Sequence, residues 1–127
     1  MANAPNLFQA EGGRVKHGVA GGTVHTCYGV TRNSLDKLVH ADSTTLGCVG
    51  IARAEYVDGD SMSYHSGGSI VVKVTGTVVP GDYLRVSGTA GVFEADGTSG
   101  ATARTIKDVL IARQTADTDG YALAEWL

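Results

Sequence analysis

The chain is poor in the residues that staple, stack or neutralise. Its two cysteines, Cys27 and Cys48, are too few for a disulfide framework and supply only half of a tetrahedral zinc site. The expectation is two reduced, partly buried thiols. Aromatic residues make up only 6% of the 127 residues, which leaves few rings to line a large ligand pocket or to stack on a sugar. Basic residues are outnumbered, 10 against 13 acidic, and the net charge is −3. No positive patch of the kind that neutralises several phosphates is expected, and with it no direct nucleic-acid binding. No apolar run approaches the ~18 residues of a membrane span. The start, MANAPN, lacks the basic and apolar regions of a secretory signal, so a soluble, unexported protein is expected. Proline is also scarce, with two residues against 18 glycines, so the glycine marks turns rather than a disordered Pro/Gly tract.

What is present is a series of short β-forming runs cut by Gly and Asp. The length suits one domain, which buries roughly two-thirds of the surface its unfolded chain exposes. The apolar content, mainly Val, Ala and Leu, predicts a thin aliphatic core. Residues 1–13 read as a flexible arm whose only apolar pair is Leu7-Phe8, which either tucks back or docks on a partner. Residues 14–127 read as a single β-rich domain with no dividing linker. Two short strands are expected around Gly21-Gly22. One short helix is possible after Asn33 or Ser34, since Leu35, Leu38 and Val39 have helical spacing. Strands are expected over 46–56, 61–65, 69–74, 83–86, 92–95, 107–114 and 121–127. Pro80-Gly81 is a turn signal, because Pro presets φ and Gly accepts the positive φ that follows. The fold class is mainly β: a small barrel or β-tulip-like domain of short antiparallel strands with an extended N-terminal arm. Two echoes run along it, Gly50-Ile51-Ala52-Arg53 with Leu110-Ile111-Ala112-Arg113, and Asp58-Gly59-Asp60-Ser61 with Pro80-Gly81-Asp82-Tyr83. They suggest two similarly built hairpins.

Catalytic constellations are missing. No serine sits in a G-x-S-x-G elbow, and neither Gly12-Gly13 nor Gly67-Gly68 is followed by the Lys-Ser/Thr of a phosphate loop. His25-x-Cys27 lacks the second pair a metal site requires, and on a strand the two would simply share a face. The acidic turns at Asp58-Gly59-Asp60 and Asp117–Gly120 do not complete a calcium loop. No enzyme activity, cofactor or metal is expected. Trp126, with Tyr121 on the same final strand, is expected to be buried, either under the barrel or at a subunit contact.

The run Pro80-Gly81-Asp82-Tyr83-Leu84-Arg85-Val86-Ser87-Gly88-Thr89-Ala90-Gly91-Val92-Phe93, the later Ile111-Ala112-Arg113 strand with its acidic turn, and the upstream Leu46–Ala52 segment together resemble small capsid decoration (cement or head-stabilising) proteins of tailed bacteriophages. The resemblance implies a β-rich knob, often a homotrimer, on the outer surface of the virion. There it would bind the major capsid protein and stabilise the expanded shell, having been made in the host cytoplasm. It implies a capsid-binding arm, here Leu7, Phe8 and Val15, and a subunit contact, here Tyr121 and Trp126. Two alternatives remain open: a small-ligand or carbohydrate-binding β module, and a tail or head-fibre component.

Overall fold

Strands and turns account for all the secondary structure among the described residues, which in this computed structural model are 10–43, 48–97, 105 and 107–127. The strands are β1 (Ala10–Glu11), β2 (Arg14–Val19), β3 (Gly29–Arg32), β4 (Leu38–His40), β5 (Gly50–Ala52), β6 (Ser61–Ser66), β7 (Ser69–Lys73), β8 (Tyr83–Val86), β9 (Phe93–Ala95), β10 (Leu110–Ala112) and β11 (Tyr121–Trp126). They form a six-stranded sheet in the order β1-β7-β11-β10-β8-β9 and a five-stranded sheet in the order β2-β6-β5-β3-β4. Alternation drives the inner strands. Ile70 and Val72, Leu84 and Val86, and Ala122 and Ala124 all turn inward while their neighbours stay partly exposed. Two apolar clusters result, and the larger contains Ile51 of the five-stranded sheet and Ala41, just after β4, beside Phe93 of the six-stranded sheet. Phe93 is fully buried and holds the sheets together by filling space above Gly29, where a Cβ would lie 2.7 Å from its ring.

The expected mainly β class holds, but neither sheet closes along its length into a barrel. Each curls until distant strands touch at one parallel bridge, Ala20 with Leu38 and Val74 with Phe93. The candidate helix is a turn leading into β4. The Asn33 carboxamide oxygen accepts the backbone N–H groups of Leu35 and Lys37 (2.9 and 3.0 Å), and Asp36 takes a φ of 61°. That side-chain cap competes with a helical ladder. Leu35 is 74% exposed while Leu38 is buried, so the helical spacing there marks no common face. Among the described residues, only Gly50–Ala52 forms of the strand expected over 46–56, and only Leu110–Ala112 of 107–114. Within the expected arm, Ala10–Glu11 pair with Ile70 and Ser69. Leu7 and Phe8 lie outside the described residues.

The two sheets repeat one plan. With β1 set aside, β7-β11-β10-β8-β9 matches β2-β6-β5-β3-β4 strand for strand. The connecting bonds match as well. Cys27 N–H donates to Ala52 O as Gly81 N–H does to Ala112 O (3.0 and 2.8 Å), and Ala52 N–H to Tyr28 O as Ala112 N–H to Asp82 O (3.0 and 2.8 Å). Val49 N–H donates to Val30 O as Val109 N–H does to Leu84 O, and Ala20 N–H to Asp60 O as Val74 N–H to Gly120 O. The first echo in the sequence therefore marks equivalent strands, β5 and β10. The second does not. Asp58-Gly59-Asp60 corresponds to Thr118-Asp119-Gly120, and Pro80-Gly81-Asp82 corresponds to Thr26-Cys27-Tyr28.

One ribbon joins the units. β1 faces β7 and β2 faces β6 in a single unbroken register, from Ala10 opposite Ile70 through Arg14 opposite Ser66 to Val19 opposite Ser61. Where the ribbon passes from sheet to sheet lie Gly12, Gly13, Gly67 and Gly68, with φ of 70°, 69°, 79° and 68°. A Cβ on Gly13 would strike the Ser66 and Gly67 carbonyl oxygens, and one on Gly68 the Glu11 carbonyl oxygen. Glycine is required there both for the left-handed backbone and for the approach of the two chains.

Candidate docking edge and polar cleft

The duplication exposes a difference at the rim. In the second unit the outer side of β7 is covered, by β1 at Ser69 and Ile70 and by Cys27, whose carbonyl accepts Lys73 N–H (3.0 Å). The counterpart in the first unit is the outer side of β2, where Arg14, Val15, Lys16 and His17 are all exposed and no strand pairs among the described residues. The His17 carbonyl accepts from Arg32 Nη2 (3.3 Å), so it faces away from β6, and the alternation of an antiparallel pair turns the main-chain groups of Val15 the same way. Val15 is 41% exposed and Val19 40%. A shallow hollow of about 350 Å³ lies alongside, lined by His17, Gly18, Val19, Ser61, Met62 and Ser63. Among the described residues no strand covers the edge from Arg14 to His17, where the side chain of Arg32 reaches the His17 carbonyl, and at Ala20 the edge meets Leu38. An exposed strand of this kind is a template for pairing with another chain.

A second feature lies where the Thr26-Cys27 turn faces the start of β11. His25 Nδ1 bonds Glu55 Oε1 (2.8 Å), the other Glu55 oxygen accepts Thr26 N–H (2.6 Å), and His25 N–H donates to His40 Nε2 (3.0 Å). The contacts assign the facing nitrogens: His25 Nδ1 presents a proton to the carboxylate, and His40 accepts at Nε2, which places the proton of its neutral ring on Nδ1. The rings of His25, Tyr28 and His40 sit within 5.4 Å of one another. His25, Thr26, Tyr28, Glu55 and Tyr121 line a cleft of about 320 Å³. Lys73 Nζ lies 4.6 Å from the centre of the Tyr121 ring and donates to Asp119 O (2.7 Å). Burial raises the phenols of Tyr28 and Tyr121 above their ordinary range, so both keep their protons at neutral pH. Burial and the neighbouring His25 lower His40.

The sequence-derived candidates separate in space. Val15 stands on the open edge. Tyr121 belongs to the cleft, while Trp126, at the other end of β11, packs against the larger apolar cluster and buries its Nε1–H without a hydrogen-bond partner among the described residues. His25 and Cys27 do not share a strand face: Cys27 occupies a turn with φ of 68° and is buried, whereas His25 is half exposed. Burial pushes both Cys27 and Cys48 up to about 12, so neither offers a thiolate at neutral pH. Among the described residues no three His, Cys, Asp or Glu side chains gather as metal ligands. The cleft escaped the sequence reading because His25, His40 and Glu55 come from separate turns and strand ends. The bare edge escaped it because exposure of β2 depends on what fails to pair with it.

No protein-family model matches the chain, and no curated protein matches it in sequence. Among solved structures it is similar to the N base of the head fibre gp8.5 of bacteriophage phi29, with a TM-score of 0.70 and 14% sequence identity over 95% of each chain. The likeness extends over both units and establishes a shared fold.

Proposed function

We propose that the chain is a structural component of a bacteriophage virion, a base or decoration module that grips the outer surface of the head. The observation that carries this reading is the Arg14–His17 edge, which no strand covers among the described residues and whose counterpart in the other unit is already occupied by a strand. A strand of the major capsid protein would add to this edge through main-chain hydrogen bonds, which demand little of the partner's side chains, while Val15 supplies apolar contact. The fold shared with a head-fibre base supports the placement, and self-association into a trimer would multiply a weak single-edge contact by avidity. A protein that binds only the assembled shell stabilises it by mass action.

Co-sedimentation with expanded capsids tests the reading. The chain should pellet with the shells, and Val15→Asp, which places a charge in the new strand pair, should abolish pelleting while leaving the melting curve unchanged. Removing residues 2–9, which lie before β1, should leave binding intact if β2 carries the contact. Loss of binding in that deletion, with Val15→Asp still bound, would move the contact to Leu7-Phe8.

A further inference from the structure

The cleft is not a requirement of the fold, because the second unit builds the same turn without it. There the amide equivalent to His25 N–H is that of Val79, and one Asp82 carboxylate oxygen accepts it (3.0 Å). The positions equivalent to His25, Thr26, Tyr28, His40 and Glu55 are Val79, Pro80, Asp82, Ala95 and Thr115. One carboxylate closes the turn in one unit, and five polar or aromatic side chains surround it in the other.

A second observation points into the same place. Thr26 is 2% exposed and lines the cleft, and its hydroxyl is buried without a hydrogen-bond partner among the described residues. A buried hydroxyl left unmatched costs free energy, which a bound group would recover once a rotation of the Thr26 side chain brings the hydroxyl to the cleft. The surrounding charges narrow what that group can be. The Glu55 carboxylate opposes an anion. Lys73, already over the Tyr121 ring, opposes a cation at the aromatic face that would otherwise hold one. The lining side chains, His25, Thr26, Tyr28, Glu55 and Tyr121, all carry hydrogen-bonding groups that an apolar ligand would leave unmatched. Hydroxyls from Tyr28 and Tyr121, the Nε2 of His25 and the outer lone pairs of Glu55 offer both donors and acceptors.

We propose that this cleft binds a neutral, hydroxyl-rich ligand of the saccharide class. Ligand hydroxyls bond Glu55, Thr26 and Tyr121, and the ring of Tyr28 supplies apolar contact. The proposal is independent of docking at β2, which uses the main-chain groups of a different segment.

The test is a titration of the isotope-labelled whole chain, followed by amide shifts, with N-acetylglucosamine, methyl glucoside and maltotriose, and with sodium acetate and tetramethylammonium as charged controls. At least one sugar should give saturable shifts confined to residues 25–28, 55 and 121, with a Kd of about 1 mM for a single sugar ring. Thr26→Val keeps the backbone bond to Glu55 and removes only the unmatched hydroxyl. It should weaken sugar binding about tenfold without lowering the melting temperature. Should that variant fail to fold, Tyr121→Phe reads the same loss. Three results would each overturn the proposal: no shift with any of the three sugars, equal shifts with acetate or tetramethylammonium, or unchanged sugar affinity in both variants.

Discussion

The first unit, β2 to β6, and the second, β7 to β11, have the same strand order and the same connecting hydrogen bonds, yet they differ where the fold leaves freedom. The second is finished: its edge strand is covered, its turn is closed by Pro80-Gly81-Asp82, and its surface carries Arg85 paired with Glu94 and Asp96 (2.9 and 3.0 Å). The first keeps an edge that no strand covers among the described residues and a ring of polar side chains around a non-glycine residue at positive φ. Positions that differ between two copies of one plan are those the plan does not need. Such positions in the first unit are where binding is to be sought.

The largest effects should come from the equivalent core pair Leu38 and Phe93, both fully buried at the bridges that curl each sheet. Leu38→Ala should cost about 2–5 kcal/mol and Phe93→Ala about 3–5 kcal/mol in denaturant melts. Phe93 also fills the space over Gly29, so its loss should loosen amide exchange in both units, whereas Leu38→Ala should loosen mainly the first. Next comes the ribbon. Gly68→Ala, forced into a left-handed backbone against the Glu11 carbonyl, should cost more than ~1 kcal/mol, while Gly59→Ala, also at positive φ but with open space around it, isolates the conformational part.

The two turn caps give smaller, more discriminating effects. Asp82→Ala leaves the half-buried Val79 amide without its acceptor and should cost about 1–3 kcal/mol. His40→Ala removes the acceptor of the more exposed His25 amide and should cost no more than about 1 kcal/mol. His40 also brings a pH dependence that Ala95 in the other unit cannot have. Burial and His25 hold its folded-state value below that of the unfolded chain. Below about pH 6.5 the unfolded state takes up a proton that the folded state refuses, so stability falls as pH drops, until the folded His40 also protonates. Melts across that range should show the decline in the parent chain and a flatter profile in His40→Ala. Smallest for stability is Val15→Asp, expected within about 0.5 kcal/mol of the parent because β2 is exposed.

Much of the strand pattern was legible in the chain. Ser69–Lys73 and Tyr83–Val86 alternate as half-buried strands should, and Pro80-Gly81 marks its turn by the conformations those residues allow. The repeat was legible at one place only, the Ile-Ala-Arg of β5 and β10, because the two units share backbone bonds rather than side chains. Gly81 and Cys27 occupy the same left-handed position, and nothing about a cysteine announces that. Asn33 or Ser34 suits a helix cap by sequence, but Asn33 serves as a turn cap, since the same carboxamide accepts amides in either setting. Curling without closure depends on single bridges at Ala20 and Val74 that no local pattern encodes.

The ribbon across the double glycines also bears on how the chain can be divided. Cutting between Gly67 and Gly68 would sever the covalent link between the units, yet β1 would remain a strand of the second unit while belonging by sequence to the first. Fragments 1–67 and 68–127 therefore carry a built-in clasp, with Phe93 as its apolar catch. Mixed in solution, they should reassemble as a complementing pair.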